Sequence, residues 1–393
     1  MNDSGLFYLL DDDDIVVERE KERCARYDFK ILANETHPKR RRLFLGSLLA
    51  DDSMEVLRAM GTEVYNIFHT VSFVESNTTQ SLTPRKWKYY DPTDPPDHLI
   101  ALHRLFGPRT RVSVEYYVSS LKETFGIYDL GVEYVQREGS THRWAFNGMK
   151  GDDVGIISDT DEVFTRDFLR AMQICDVPEF RPNQDCLNPK VIASTMVFES
   201  SPDCVTKDRR WHHPDAILGE CVDQVGDSLL HPPGKREHEE RHGMRLDGYG
   251  RNGDYSKYVA EGMGSNNSYP LWYASDFRNQ AGGMQPGTKD GSPTGYHFHN
   301  FFNSANDIRV KYHTYGHASH DAMDKPIWEL HDDIQLAVDC AHGDRNKSLE
   351  FGTSLGSVLP IYYSDDEVMM TRHRLWHSIV EGEDEYWSKK NRD

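Results

Sequence analysis

The chain of 393 residues carries 45 Lys and Arg against 64 Asp and Glu, a net charge of -19. An acidic balance of that size argues against nucleic acid or an anionic membrane as the main partner, and an anionic ligand would need local cations or a metal. Apolar residues make up 37% of the chain, enough for the core of one large domain or two modest ones, and no run of about 18 apolar residues is present to span a membrane.

Residues 1–40 are polar and charged with little periodicity and are expected to form an extension. Met1–Leu10 runs directly into Asp11–Asp14, a poor match to a signal peptide. Leu43–Leu48 reads as a strand, and Asp51-Asp52-Ser53 as the cap of a helix carrying Met54, Leu57 and Met60. A second strand, Val71–Val74, ends at Glu75-Ser76-Asn77. A loop follows from Thr83 to Pro96, then a helix over 110–125, a third strand at Val132–Val135 and a helix from Arg143 to Met149. A fourth strand, Val154–Ile157, leads to Asp159-Thr160-Asp161-Glu162. Thr165-Arg166-Asp167 opens a helix with Phe168, Leu169, Met172 and Ile174 in the core, and Val191–Phe198 reads as one more strand. Strands alternating with helices imply a mostly parallel sheet covered on both faces, with ligands bound beyond the carboxyl ends of its strands. Residues 200–292, rich in Gly, His, Asp and Arg, read as a long irregular insertion within a domain spanning 41–350, and 351–393 as an acidic C-terminal segment.

The six cysteines, Cys24, Cys175, Cys186, Cys204, Cys221 and Cys340, contain no C-x-x-C pair. One or two disulfides and free core thiols fit the spacing equally.

The stretch Asp159-Thr160-Asp161-Glu162 carries the chemistry. Two carboxylates one residue apart on extended backbone share a face. Hard oxygen ligands of this kind suit a divalent cation such as Mn²⁺ or Mg²⁺. The competing explanation is an acidic helix start, favoured by the helix dipole. A rival chemistry uses the same residues: an apolar strand followed by Asp-x-Asp-x-Val also resembles the first motif of haloacid-dehalogenase-type phosphatases, in which the first Asp is a nucleophile.

Four stretches taken together resemble glycosyltransferase family 17, whose members include the β-1,4-mannosyl-glycoprotein 4-β-N-acetylglucosaminyltransferases. They are the elements at 42–60 with Val71–Asn77, Arg143–Gly148 ahead of Asp152-Asp153-Val154, Ile156–Val163 with Arg166-Asp167, and Gly295-Tyr296-His297-Phe298-His299 with Ile308 and Lys311–His317. The likeness covers roughly 42–200 and 293–350, and the insertion has no counterpart. It implies a GT-A-like α/β fold and a nucleotide-sugar transferase using UDP-GlcNAc as donor, a divalent cation, and a glycan or glycoprotein acceptor such as the β-mannose of an N-glycan core. By the same resemblance, Asp159, Asp161 and His297 would hold the metal. Glu75 and Asp159 would face the donor, and Arg143 could meet its phosphates. Glu162 and Asp161 are the catalytic candidates, with Glu162 as base. Tyr296 stands where the family has Trp. The expected compartment is the Golgi or another endomembrane lumen if a targeting segment is missing, and otherwise the cytoplasm. A degenerate transferase fold acting as a glycan-binding module is the non-enzymatic alternative.

Overall fold

A computed structural model describes residues 16–32, 40–50, 54–79, 83–89, 97–118, 131–181, 186, 190–200, 205–226, 271–272, 274–279, 284–286, 288, 293–302, 304–314, 324–338 and 343–344. The elements begin with α1 (Val17–Arg26), β1 (Lys30–Ile31), β2 (Leu43–Leu49), α2 (Met54–Val64), β3 (Thr70–Ser76), α3 (Asp97–Leu105), β4 (Arg111–Tyr117) and α4 (Gly131–Phe146). They continue with β5 (Val154–Ser158), β6 (Glu162–Phe164), α5 (Arg166–Ile174), β7 (Cys175–Asp176), β8 (Lys190–Ile192), β9 (Thr195–Glu199), β10 (Val205–Trp211) and β11 (Asp215–Leu218). The last are α6 (Ala274–Asn279), β12 (Gly295–His299), α7 (Ala305–Thr314), α8 (Ile327–Val338) and β13 (Gly343–Asp344).

The protein is mixed α/β. Its main sheet has six strands in the order β4-β3-β2-β5-β11-β8. The first four run parallel. Strand β11 is antiparallel to both its neighbours, so β8 again runs with the first four. Burial on both faces explains why β2 reads as the nearly unbroken apolar run LFLGSLL. Leu43, Leu45, Phe73 and Ile156 enter one core with Leu57 and Met60 of α2, Leu102 of α3 and Phe168 of α5. Their neighbours Phe44, Ile157 and Ile217 face the other way, into a core with Trp144 of α4 and Phe277 of α6. A second sheet of five strands, β13-β10-β9-β12-β6, adjoins the carboxyl edge of β5 through the short link from β5 to β6.

The second core is tight enough to dictate a glycine. A Cβ on Gly155 would fall 2.3 Å from Trp144 Cζ3, and Trp144 is held in place by its indole N–H, which donates to the Leu45 carbonyl at 3.1 Å. Gly155→Ala is expected to cost about 1–3 kcal/mol through overpacking. A urea midpoint unchanged from wild type would show that this face tolerates the methyl.

Several expected elements differ. The helix expected over 110–125 is strand β4 where it is described, pairing with β3 from Thr70↔Arg111 to Ser76↔Tyr117. It is the half-exposed edge strand, so it lacks the apolar run of its neighbours. The strand expected at Val132–Val135 is the first part of α4. Val191–Phe198 is not one strand: β8 and β9 belong to different sheets, with the chain crossing between them at Ala193-Ser194. Far from being wholly irregular, 200–292 supplies β10, the main-sheet strand β11 and α6. Of the expected N-terminal extension, residues 16–32 are docked on the domain. Cys24 of α1 forms a disulfide with Cys175, β1 pairs with β7, and Arg23 and Arg26 reach Asp167 at 2.9 and 3.0 Å. A second disulfide joins Cys186 and Cys221. The Asp51–Ser53 cap, Cys204, Cys340 and the acidic segment 351–393 lie outside the described residues. Among the described residues no helix is long and apolar enough to cross a membrane.

Candidate functional site

Strand β5 leaves the main sheet at Ser158, and the chain turns through Asp159-Thr160-Asp161 before entering the second sheet as β6. The turn is closed twice: the Glu162 N–H donates to the Asp159 carbonyl at 3.1 Å, and the Asp159 N–H donates to Glu162 Oε2 at 3.0 Å. The Phe298 N–H of β12 donates to the Asp161 carbonyl at 2.7 Å, fastening the turn to the second sheet. A turn, not extended backbone, therefore gathers the carboxylates, and it brings in Glu162 as well. Carboxylate oxygens of Asp159, Asp161 and Glu162 lie within 4.8 Å of one another.

The three acids have different surroundings. Asp159 is gripped from two sides, by Arg137 of α4 on Oδ1 and Arg278 of α6 on Oδ2, each at 2.7 Å. Burial alone would raise its carboxyl, but the two guanidinium groups outweigh that and hold it well below the usual carboxylate range. Glu162 is buried and fully engaged. Arg278 donates to both its oxygens at 2.9 and 3.0 Å, and the Trp211 indole donates to Oε1 at 2.5 Å. Arg278 also lies 3.5 Å from Asp215, a buried acid that pairs with Lys190 at 2.6 Å and with His213. One guanidinium thus joins the acidic turn to the main sheet through β11.

Asp161 faces the other way. His297 Nε2 is 3.6 Å from its Oδ2 and Lys311 Nζ is 3.8 Å away. Burial pushes the Asp161 carboxyl up, yet His297 and Lys311 bring the balance below the ordinary value. The His297 ring stacks on Trp211 with centroids 5.1 Å apart, which fixes its orientation. Beyond it, His299 Nδ1 meets Glu199 Oε2 at 2.6 Å, and Asn300 Nδ2 donates to Glu199 Oε1 at 2.8 Å. Burial lowers the His299 ring from its ordinary value, against the upward pull of Glu199.

Of the residues singled out in the sequence, Asp159, Asp161, Glu162 and His297 come together. Glu75 ends β3 on the same sheet edge, but its carboxylate is buried and accepts the backbone N–H groups of Lys88 and Tyr89, at 2.6 Å on Oε1 and 3.1 Å on Oε2. That contact organises a loop. Arg143 pairs with Glu115 of β4 and lies over the Phe146 ring, so its described partners are away from the turn. The arginine of α4 that reaches the turn is Arg137, six residues earlier, whose pairing with Glu133 at 2.6 Å is the ordinary i,i+4 spacing. Arg278 had no usable signal, because α6 is only six residues long.

No family model matches the chain, and no curated protein matches it.

The donor set suits a divalent cation at one place. Asp161 offers a hard oxygen, the kind of ligand that suits Mg²⁺ or Mn²⁺, and His297 an imidazole nitrogen, the kind that suits Zn²⁺ and other transition metals. Asp159, with a guanidinium on each oxygen, is committed to orienting the turn.

Proposed function

We propose that this chain is a metal-dependent, inverting glycosyltransferase of GT-A type. It would move N-acetylglucosamine from UDP-GlcNAc to a glycan acceptor such as the β-mannose of an N-glycan core. The observation that carries this reading is the meeting of His297 with Asp161, 3.6 Å apart, at the carboxyl end of a mostly parallel sheet. The two residues come from distant stretches singled out independently by the resemblance, and the carboxyl edge is where such sheets bind ligands.

Asp161 and His297 would hold the divalent cation, which when bound supplies positive charge against the developing charge of the departing diphosphate. Lys311, beside Asp161, adds a fixed cation on the same side. The acceptor hydroxyl attacks the anomeric carbon in a single displacement and UDP leaves from the opposite face. Glu162, buried and clamped on both oxygens by Arg278, positions the turn, and its burial keeps an acceptor hydroxyl from reaching it. The phosphatase alternative asks Asp159 to act as a nucleophile, and two guanidinium groups on its oxygens oppose that. Two disulfides fit an oxidising compartment such as the endomembrane lumen.

A panel of nucleotide sugars assayed for UDP release with Mn²⁺ and an N-glycan core glycopeptide tests the reading. UDP-GlcNAc should be turned over, and Asp161→Asn should lower kcat/KM about 100-fold. No UDP release from any donor would sink the proposal. Phosphatase activity abolished by Asp159→Asn would support the rival, and glycan binding without turnover would support a binding module.

A further inference from the structure

We infer that Glu199 is the base that takes the proton from the acceptor hydroxyl, an assignment that rests on the transferase reading above. Inversion requires a base on the acceptor side of the sugar, and the acids of the turn are committed elsewhere. Asp159 is held by two arginines, Glu162 by Arg278 and Trp211, and Asp161 faces the cation position.

Glu199 is placed differently. It ends β9, which runs parallel to β12 with Glu199 opposite His299 and Val197 opposite His297. From the rise along a strand and the spacing between strands, the Cα of Glu199 lies about 8 Å from that of His297. The offset sets Glu199 along the strand from His297, apart from the acids of the turn. The Glu199 side chain is 21% exposed, within reach of a substrate.

Its orientation is fixed by two donors, as a catalytic carboxylate requires. His299 Nδ1 holds Oε2 at 2.6 Å and Asn300 Nδ2 holds Oε1 at 2.8 Å. Asn300 Oδ1 in turn accepts from Lys311 Nζ at 3.4 Å, and Lys311 lies 3.8 Å from Asp161. This relay ties the acceptor-side carboxylate to the donor-side one. In the step, the acceptor oxygen bonds to the anomeric carbon and the bond from that carbon to the phosphate oxygen breaks. Its electron pair leaves with UDP, and the hydroxyl proton passes to the Glu199 carboxylate.

Glu199→Gln keeps the shape of the side chain and removes its basicity. With UDP-GlcNAc, Mn²⁺ and the N-glycan core glycopeptide, the variant should lose about 100-fold in kcat while calorimetry shows unchanged affinity for UDP-GlcNAc. Azide has no proton to lose, so with sodium azide as acceptor the variant should form the glycosyl azide as fast as wild type. Retention of kcat to within a few-fold would overturn the assignment. So would parallel loss of donor affinity and of the azide reaction, which would mark Glu199 as structural. A wild-type chain that turns over no nucleotide sugar refutes the transferase reading itself and this assignment with it. An active wild type with an unimpaired variant refutes the assignment alone.

Discussion

Replacing Arg278 with alanine is expected to lower the stability of the fold by about 3–5 kcal/mol, because it strips the charge partner from buried carboxylates without removing them. Arg278 is itself buried and touches Asp159, Glu162 and Asp215. Glu162 and Asp215 have essentially no exposure, so water cannot take over the lost contacts. Burial disfavours the Arg278 guanidinium, but the acids around it hold its pKa well above the ordinary value. Arg278→Lys keeps the charge and loses the fork that spans several oxygens, and should fall between alanine and wild type. Arg143→Ala serves as the comparison. Its pairing with Glu115 is about one-third exposed on each side, and such a pair contributes about 0–1 kcal/mol. Denaturant midpoints for the three variants check the ranking. Equal shifts for Arg278→Ala and Arg143→Ala would show that the acidic turn does not depend on its guanidinium clamp.

That dependence explains which parts of the site were legible in the sequence. Strands β2, β3 and β5 are buried on both faces and stand out as apolar runs. The acids follow directly from where β5 stops. His297 came from the resemblance carried by Gly295-Tyr296-His297, a segment that folds as a buried strand with His297 opposite Glu162. Edge strand β4 and helix α4 were misassigned for opposite reasons. The edge strand is half exposed and lacks a strong pattern. The helix presents small residues to the sheet: a Cβ on Gly139 would meet Val74 at 3.2 Å, and Ser140 fills the space over Gly46. Close backbone packing of that kind removes the apolar periodicity by which a helix is recognised.

The charged partners were the least visible, because an ion pair leaves no periodic trace. Arg278 and Asp215 are single residues on short elements, and only the folded arrangement brings them to the turn. Glu75 shows how side-chain direction escapes the sequence. A strand-end glutamate on the right sheet edge is a fair donor-site candidate, yet its carboxylate turns to the backbone of Lys88 and Tyr89. Position along the edge can be read from the chain, but the direction of one side chain depends on which nearby N–H groups lack partners.

Stability should also fall as the pH rises from about 4.5 to about 7, and the group responsible is Glu63 at the end of α2. Its carboxyl is completely buried, and burial pushes its pKa up from 4.5 to about 7, against the opposing pull of the Arg166 backbone N–H and guanidinium. Arg166 N donates to one oxygen, while the other is buried without a hydrogen-bond partner. Because the folded-state pKa lies above the unfolded one, this contribution is fully present below about pH 4.5, where both states are protonated. It is lost as the pH rises through the folded value near 7. Over that window the unfolded chain releases a proton that the folded chain retains, and the difference amounts to about 3 kcal/mol. Glu63→Gln has the same shape and nothing to ionise. Its stability relative to wild type should therefore increase by about that amount between pH 4.5 and 7 and level off above. Urea unfolding of both proteins at half-unit pH steps measures the gap. Parallel curves across the window would mean that Glu63 titrates normally in the folded protein.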